Sequence, residues 1–236
     1  MSFIIGIHVQ EGLVFASDSR TTYTTTTIKD GKESKQLGVH ITDTTYKTFL
    51  TKLNVGISVC GDASINGKPI AGYIEEFISA HQTDGVEVIK DSIIPYFDNI
   101  NPTLNTDFII GGYITKENGA KEQKLYRVST ATKRIAEENT TAQGAIWDGE
   151  TDVLSRLITT VYAKSEKGDK YTPYVKHEIL WNYLTLQDAI DFARFAVRTT
   201  IDTMSFQKRV KTVGGPIDIL VIKPNESYWI SRKELH

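Results

Sequence analysis

There is one cysteine in the 236 residues. A lone thiol excludes an internal disulfide framework and any zinc site built from several cysteines, and it leaves Cys60 as a small buried hydrophobe. No apolar run approaches the roughly 20 residues that cross a bilayer. The opening SFIIGIHVQEG lacks the cationic head of a secretory signal, so a cytoplasmic location is expected and a membrane partner is not. Charge of one sign is also missing. Lysine and arginine number 27 against 29 acids, a net charge of -2, which gives no electrostatic footprint for nucleic acid or a bilayer surface. HExxH, GxSxG, a P-loop and a GxGxxG after a strand are all absent. His8, His40, His81, His177 and His236 show no metal-ligand spacing. No metal and no cofactor is implied.

What is present is a globular composition, 40% hydrophobic and 24% charged. The chain opens on two apolar runs, residues 3–9 and 13–19, joined by Gln10-Glu11-Gly12, the length of connection that hairpins use. Their apolar density on both faces predicts a sheet covered on both sides. The threonine-rich stretch from 21 to 44 predicts a long exposed hairpin, and strands follow at 46–52 and 54–60. Helical spacing predicts helices over 63–81 and 86–98, the second kinked or ended by Pro95. Strand patterns return at 106–115, 123–130 and 132–138. Helical patterns return at 150–166 and 185–204, and IDILVI and SYWIS close the chain as strands. No linker and no fixed-period repeat interrupts this order. It predicts one domain over residues 1–236, with sheets stacked between helical layers.

The chemistry begins at Ser2. A small residue after an initiator methionine permits methionine removal, which would put a hydroxyl nucleophile and a free α-amino base on one residue. Three segments then carry a resemblance: SFIIGI, EGLVFASDSR and YKTFLTKLNVGISVCGDA. Together they resemble the proteasome β-type subunits of the N-terminal nucleophile hydrolase superfamily, nearest to the bacterial ancestral β-subunit-like (Anbu) group. Asp18 and Arg20 stand at the family's distances from the nucleophile, and Lys47 precedes Gly61 by the family's interval. Alone, DSR at a strand end is usually a solvated turn with a weak surface pair. The joint spacing carries the assignment.

The resemblance implies an α+β, four-layer αββα sandwich with two stacked antiparallel sheets. It also implies a peptidase or amidase acting through an acyl-enzyme on Ser2 after loss of Met1. In that scheme Asp18 holds Lys47 charged, Arg20 orients the carboxylate and its loop, and the Gly61 N–H faces the oxyanion. Thr22 would pair its main chain with an extended peptide. Thr21, Thr45, Phe49, Val59 and Ala63 would line an apolar pocket without a charged group, although Phe49 and Val59 also read as core. The supporting serine of the family is missing where Ala145 follows Gly144. Asp202 with Ser205, or Asp202 with Thr212, would complete the site, and the basic stretch FQKRVK is extra.

The implied partners are a peptide or unfolded protein substrate and further copies of the chain in a ring or open helical stack, with contacts on helices 63–81 and 86–98. Any energy-dependent unfolding partner is left unnamed. The competing reading is a catalytically inactive scaffold subunit, since family membership is not activity. A non-proteolytic amidase is a third.

Overall fold

The computed structural model describes residues 2–29, 32–168 and 170–234. Met1, the tip of the expected hairpin at Asp30 and Gly31, and His236 lie outside the described residues.

The two opening runs form β1 (Phe3–Val9) and β2 (Gly12–Ser17), antiparallel with Ile4 opposite Ser17 and Val9 opposite Gly12, and every residue of both is buried. The threonine stretch forms the ribbon β3 (Thr21–Lys29) and β4 (Lys32–Thr42), whose register slips between Tyr23 and Thr24. Next come β5 (Thr48–Leu50), β6 (Gly56–Gly61), and a small hairpin of β7 (Ser64–Ile65) and β8 (Lys68–Pro69).

That hairpin occupies what the spacing predicts as the first turns of a helix. Asn66 and Gly67 have φ of 51° and 77°, the two positive values that a primed two-residue turn demands. The Asn-Gly pair therefore outweighs the apolar spacing, and α1 runs only over Ile70–Ala80. In α2 (Val86–Ile100) the helix continues through Pro95 rather than ending there. Pro95 lies on the exposed face, as does Asp91, whose carbonyl the proline leaves without its helical N–H. Burial of Ile89, Ile93 and Phe97 offsets the ~3 kcal/mol an interior proline costs.

The second half holds β9 (Thr106–Thr115), β10 (Lys121–Ser129), β11 (Arg134–Glu137) and β12 (Gly144–Gly149). After it come α3 (Asp152–Ile158), a ribbon of β13 (Tyr162–Lys164) and β14 (Tyr171–Pro173), α4 (Leu186–Phe206), β15 (Asp218–Ile222) and β16 (Ser227–Ser231). The helix expected over 150–166 is thus a two-turn helix and a strand. The last helix starts where Thr185 and Asp188 form a reciprocal capping box.

Among the described residues this is a mixed α+β fold with four α-helices and several antiparallel sheets. One five-stranded sheet has the order β12-β1-β2-β15-β16 and the other β11-β10-β9-β6-β5. Alternate residues of β1 explain its unbroken apolar run. Phe3, Ile5 and Ile7 pack with Ala189, Ala193 and Val197 of α4, while Ile4 joins Phe15, Ile109 and Leu125 in a cluster shared by the two sheets. Ile57, Phe108 and Ile110 pack with Ile74, Phe77, Ile89 and Phe97 of the first two helices. No helix among the described residues is long and apolar enough to cross a membrane.

Where the sheets meet, a Cβ at Gly111 would lie 2.9 Å from both Leu125 Cδ1 and Phe15 Cζ, and 3.0 Å from the Lys124 carbonyl oxygen. Overpacking of this kind costs about 1–3 kcal/mol. Gly111→Ala is accordingly expected to lower the urea unfolding midpoint, and an unchanged midpoint would show that the sheets are not in close contact there.

Candidate active site

The first residues of β1 are tied to the chain that leaves β2. Asp18 N–H donates to the Phe3 carbonyl at 3.3 Å, and Phe3 N–H donates back to Asp18 Oδ1 at 3.0 Å. Asp18 Oδ2 accepts from Arg20 N–H at 3.1 Å and from Gly214 N–H at 2.9 Å. Lys47 Nζ completes the set at 2.8 Å from Oδ1, and it also donates to the Arg20 carbonyl. Both side chains are buried, 4% and 0% exposed. Burial pushes the Lys47 ammonium below its ordinary range, and the Asp18 charge and hydrogen bond oppose that shift. Lys47 is itself held over β6 by Val59 N–H, which donates to its carbonyl at 2.9 Å.

Ser2, 7% exposed, lines one pocket with Lys47, Gly61, Thr21, Thr45 and Val59. Thr22, Tyr46, Cys60, Asp62, Ala63 and Ile70 complete the wall. The cavity volume is about 20 Å³, space for one water. A cleft of about 340 Å³ adjoins it, with Thr22, Tyr23 and Thr24 of β3 on one wall and residues 61–64 on the other. Gly61 has φ of +118°, and a Cβ there would meet the Asn105 carbonyl oxygen at 2.4 Å. No side chain fits that position.

Several expectations are corrected. Phe49 packs into the core against the first two helices and does not line the pocket; Val59 does both. The pocket is not free of charge, because Asp62 lines it, with Oδ2 accepting from Asn105 N–H at 2.9 Å. Arg20 does not touch the Asp18 carboxylate with its side chain. Its guanidinium pairs at 2.7 Å, through two nitrogens, with Asp43 at the foot of the β3–β4 ribbon, which raises the Arg20 pKa and lowers that of Asp43. Gly214 packs so closely on this guanidinium that a Cβ would fall 2.5 Å from Cζ.

Asp202 and Ser205 are exposed on the last turns of α4; Asp202 pairs with Arg198 at 2.8 Å and Ser205 donates to its carbonyl. The helix turns them outward. Thr212 is the one that comes near, buried and lining the cleft beside Gly61.

Ala145 lies within β12 opposite Ile7. The turn at the start of β1 is Gly149-Glu150, whose Glu150 N–H donates to the Ser2 carbonyl at 2.7 Å. Gly149 has φ of +87° and no space for a Cβ, since Ser2 O would lie 1.9 Å away. Glu150 Oε1 accepts from the Thr212 hydroxyl at 2.7 Å, and Oε2 lies 3.2 Å from Arg209 NH1. The sequence reading passed over Glu150. The Asp-Gly pair before a helical pattern and the Gly-Gly pair at 214–215 were the available signals.

The fold has a counterpart among solved structures. Among solved structures, the chain is similar to an Anbu (Gly-1) mutant from Hyphomicrobium sp. strain MC1, with 15% identity, a TM-score of 0.59, and coverage of 98% of this chain and 87% of that one. At that identity the likeness is one of fold. No protein-family model and no curated protein matches the sequence.

Removing one member of a buried ion pair typically costs about 3–5 kcal/mol. Asp18→Ala strips the ammonium of its counter-charge and orphans three main-chain donors, and is expected to reach that range in denaturant unfolding. Lys47→Ala leaves the carboxylate with its three N–H donors and should cost clearly less; equal losses would contradict this division.

Proposed function

We propose that this protein is a serine-type N-terminal nucleophile hydrolase, a proteasome β-subunit-like peptidase or amidase, with Ser2 as the nucleophile once the bond between Met1 and Ser2 is cleaved. The observation that carries the reading is the buried Lys47, paired with Asp18 and lining one pocket with Ser2 and Gly61. With it goes the reading of the whole chain, residues 1–236, as a single domain of the four-layer αββα type.

In this mechanism the freed α-amino group of Ser2, which unperturbed titrates at about 7.7–8.0, takes the hydroxyl proton as Oγ attacks the amide carbonyl. The same proton then goes to the leaving amine, the C–N bond breaks, and an ester on Ser2 remains. Water, deprotonated by the amine, hydrolyses the ester and regenerates both groups. Lys47 holds positive charge beside the amine and favours its neutral form, and Asp18 keeps Lys47 in place. The Gly61 N–H serves the developing oxyanion, a contribution of ~10²–10³ in rate for such donors. Thr22 lies where β3 would pair with an extended peptide in the adjoining cleft, and Thr21, Thr45, Val59 and Ala63 receive the side chain before the cut bond. Asp202, Ser205 and Phe49 have no part in it. Arg20 acts at a distance by anchoring the ribbon through Asp43. The substrate is a short or unfolded peptide, and copies of the chain associate as a ring or open helical stack through α1 and α2.

A second reading, a catalytically silent scaffold subunit, has one observation in its favour: the roughly 20 Å³ pocket admits little more than a methyl group without widening. Mass spectrometry of the amino terminus, combined with an electrophilic peptide probe, separates the two. The hydrolase reading expects Ser2 uncapped and labelled, with labelling lost in Ser2→Ala; retained Met1 without labelling leaves the scaffold. Lys47→Ala should abolish turnover while the assembly keeps its size by light scattering, and collapse of the assembly would make Lys47 structural instead. Across a panel of peptides and small acylamides, small neutral apolar residues before the cut bond are expected to react at least tenfold faster than charged or bulky ones. A preference for a basic residue would assign Asp62 the deciding role.

A further inference from the structure

A cluster of three polar donors lies at one end of the layer between the two sheets. There β6 and β9 set Cys60 directly opposite Asp107, and β12 brings Asp148, opposite Ile4 of β1, over the pair. The thiol sulfur and a carboxylate oxygen of each aspartate lie within 4.8 Å of one another. Cys60 is 3% exposed and unoxidised, and among the described residues its thiol has no hydrogen-bond partner. It is a buried, unpaired soft donor pointed at two acids.

The surroundings make that arrangement costly as it stands. Burial pushes the Asp107 carboxyl above its usual range, with the Asp148 charge adding to it and a Ser129 hydrogen bond opposing. Burial also pushes the Cys60 thiol up; both aspartates reinforce the shift, and the Lys47 charge opposes it. Arg127 NH1 lies 2.9 Å from Asp148 Oδ2, and Gly149 N–H donates to Asp148 Oδ1 at 2.8 Å. A divalent cation would offset the mutual repulsion of the two carboxylates and stabilise the thiolate.

We propose that Cys60, Asp107 and Asp148 form a binding site for a thiophilic divalent cation of the zinc class. One sulfur and two carboxylate oxygens, with water in the fourth position, suit the tetrahedral preference of Zn²⁺. Bond lengths of about 2.0–2.3 Å bring tetrahedral donors to roughly 3.5 Å apart, so side-chain rotation has only to draw these donors in by about an ångström. On binding, the Cys60 S–H bond breaks, its proton goes to solvent and the sulfur takes the metal, the usual linkage of thiolate coordination to proton release. The site stands independently of the hydrolase reading, because its ligands are not the reacting groups. It lies behind the pocket wall to which Cys60 contributes, and it cross-links β6 and β9 of one sheet to β12 of the other.

The test is titration of the reduced full chain with Co²⁺ followed by Zn²⁺. A thiolate-to-cobalt charge-transfer band is expected in the near ultraviolet, saturating at one equivalent and abolished by Zn²⁺. Cys60 is the sole cysteine, so the band has no other source, and the unmodified protein decides the matter even where a variant unfolds. In competition with a chromophoric chelator, Cys60→Ser and Asp107→Asn should each weaken Zn²⁺ binding at least tenfold, with the exposed Asp202→Asn as an unchanged control. Absence of the band, or Zn²⁺ affinity unaltered in Cys60→Ser, would overturn the proposal.

Discussion

A carboxylate without access to water must be met by donors on every side, and the organisation around Asp18 follows from that requirement. Its two oxygens accept from Phe3 N–H, Arg20 N–H, Gly214 N–H and Lys47 Nζ. These groups come from the first strand, the exit of the second, the loop before β15 and the residue before β5. No two of those segments can shift independently without orphaning a buried donor or the acid itself. The position of Ser2, one residue ahead of Phe3, is thereby set to within the reach of a hydrogen bond.

Close backbone approach does the rest, and it explains where glycine is obligatory. Gly149 wraps the Ser2 carbonyl, Gly61 passes under the Asn105 carbonyl, and Gly214 lies flat against the Arg20 guanidinium. Each removes a Cβ where two chains meet. The Arg20–Asp43 pair then fastens the foot of the threonine-rich ribbon to this junction. A second buried pair, Lys233 with Asp218, pins the end of the chain, and the Tyr46 hydroxyl donates to the Lys233 carbonyl at 3.2 Å. The pocket wall is therefore supported from behind by residues remote in sequence.

Local signals were legible where one physical cause acted alone. The paired opening strands, the threonine ribbon and the long last helix with its Thr185–Asp188 cap follow from periodicity, β-branching and capping chemistry. Misreadings arose where two causes competed. At 63–69 the apolar spacing of a helix overlies an Asn-Gly turn, and the turn prevails because both residues accept positive φ. At Pro95 a breaker loses to the burial of three large side chains. At 144–149 a strand forms where the local pattern predicts none, since the need of β1 for a hydrogen-bonded neighbour is invisible in a local window. In the site, the intervals among Ser2, Asp18, Lys47 and Gly61 marked residues that line or support one pocket. Glu150 and the role of Gly214 were missed, for their relevance lies in contacts across more than a hundred residues.

By itself, the order of residues determined which side chains are able to be buried, which turns require glycine or asparagine, and that a single cysteine leaves no internal disulfide, because these depend on local sterics, periodicity and composition. Only the tertiary structure decided that Phe49 faces the core, that Asp202 and Ser205 face water, and that Arg20 reaches Asp43 rather than Asp18. Those outcomes turn on which strand lies beside which, and on a helix's rotation about its own axis, and both are set by packing between segments distant in the chain.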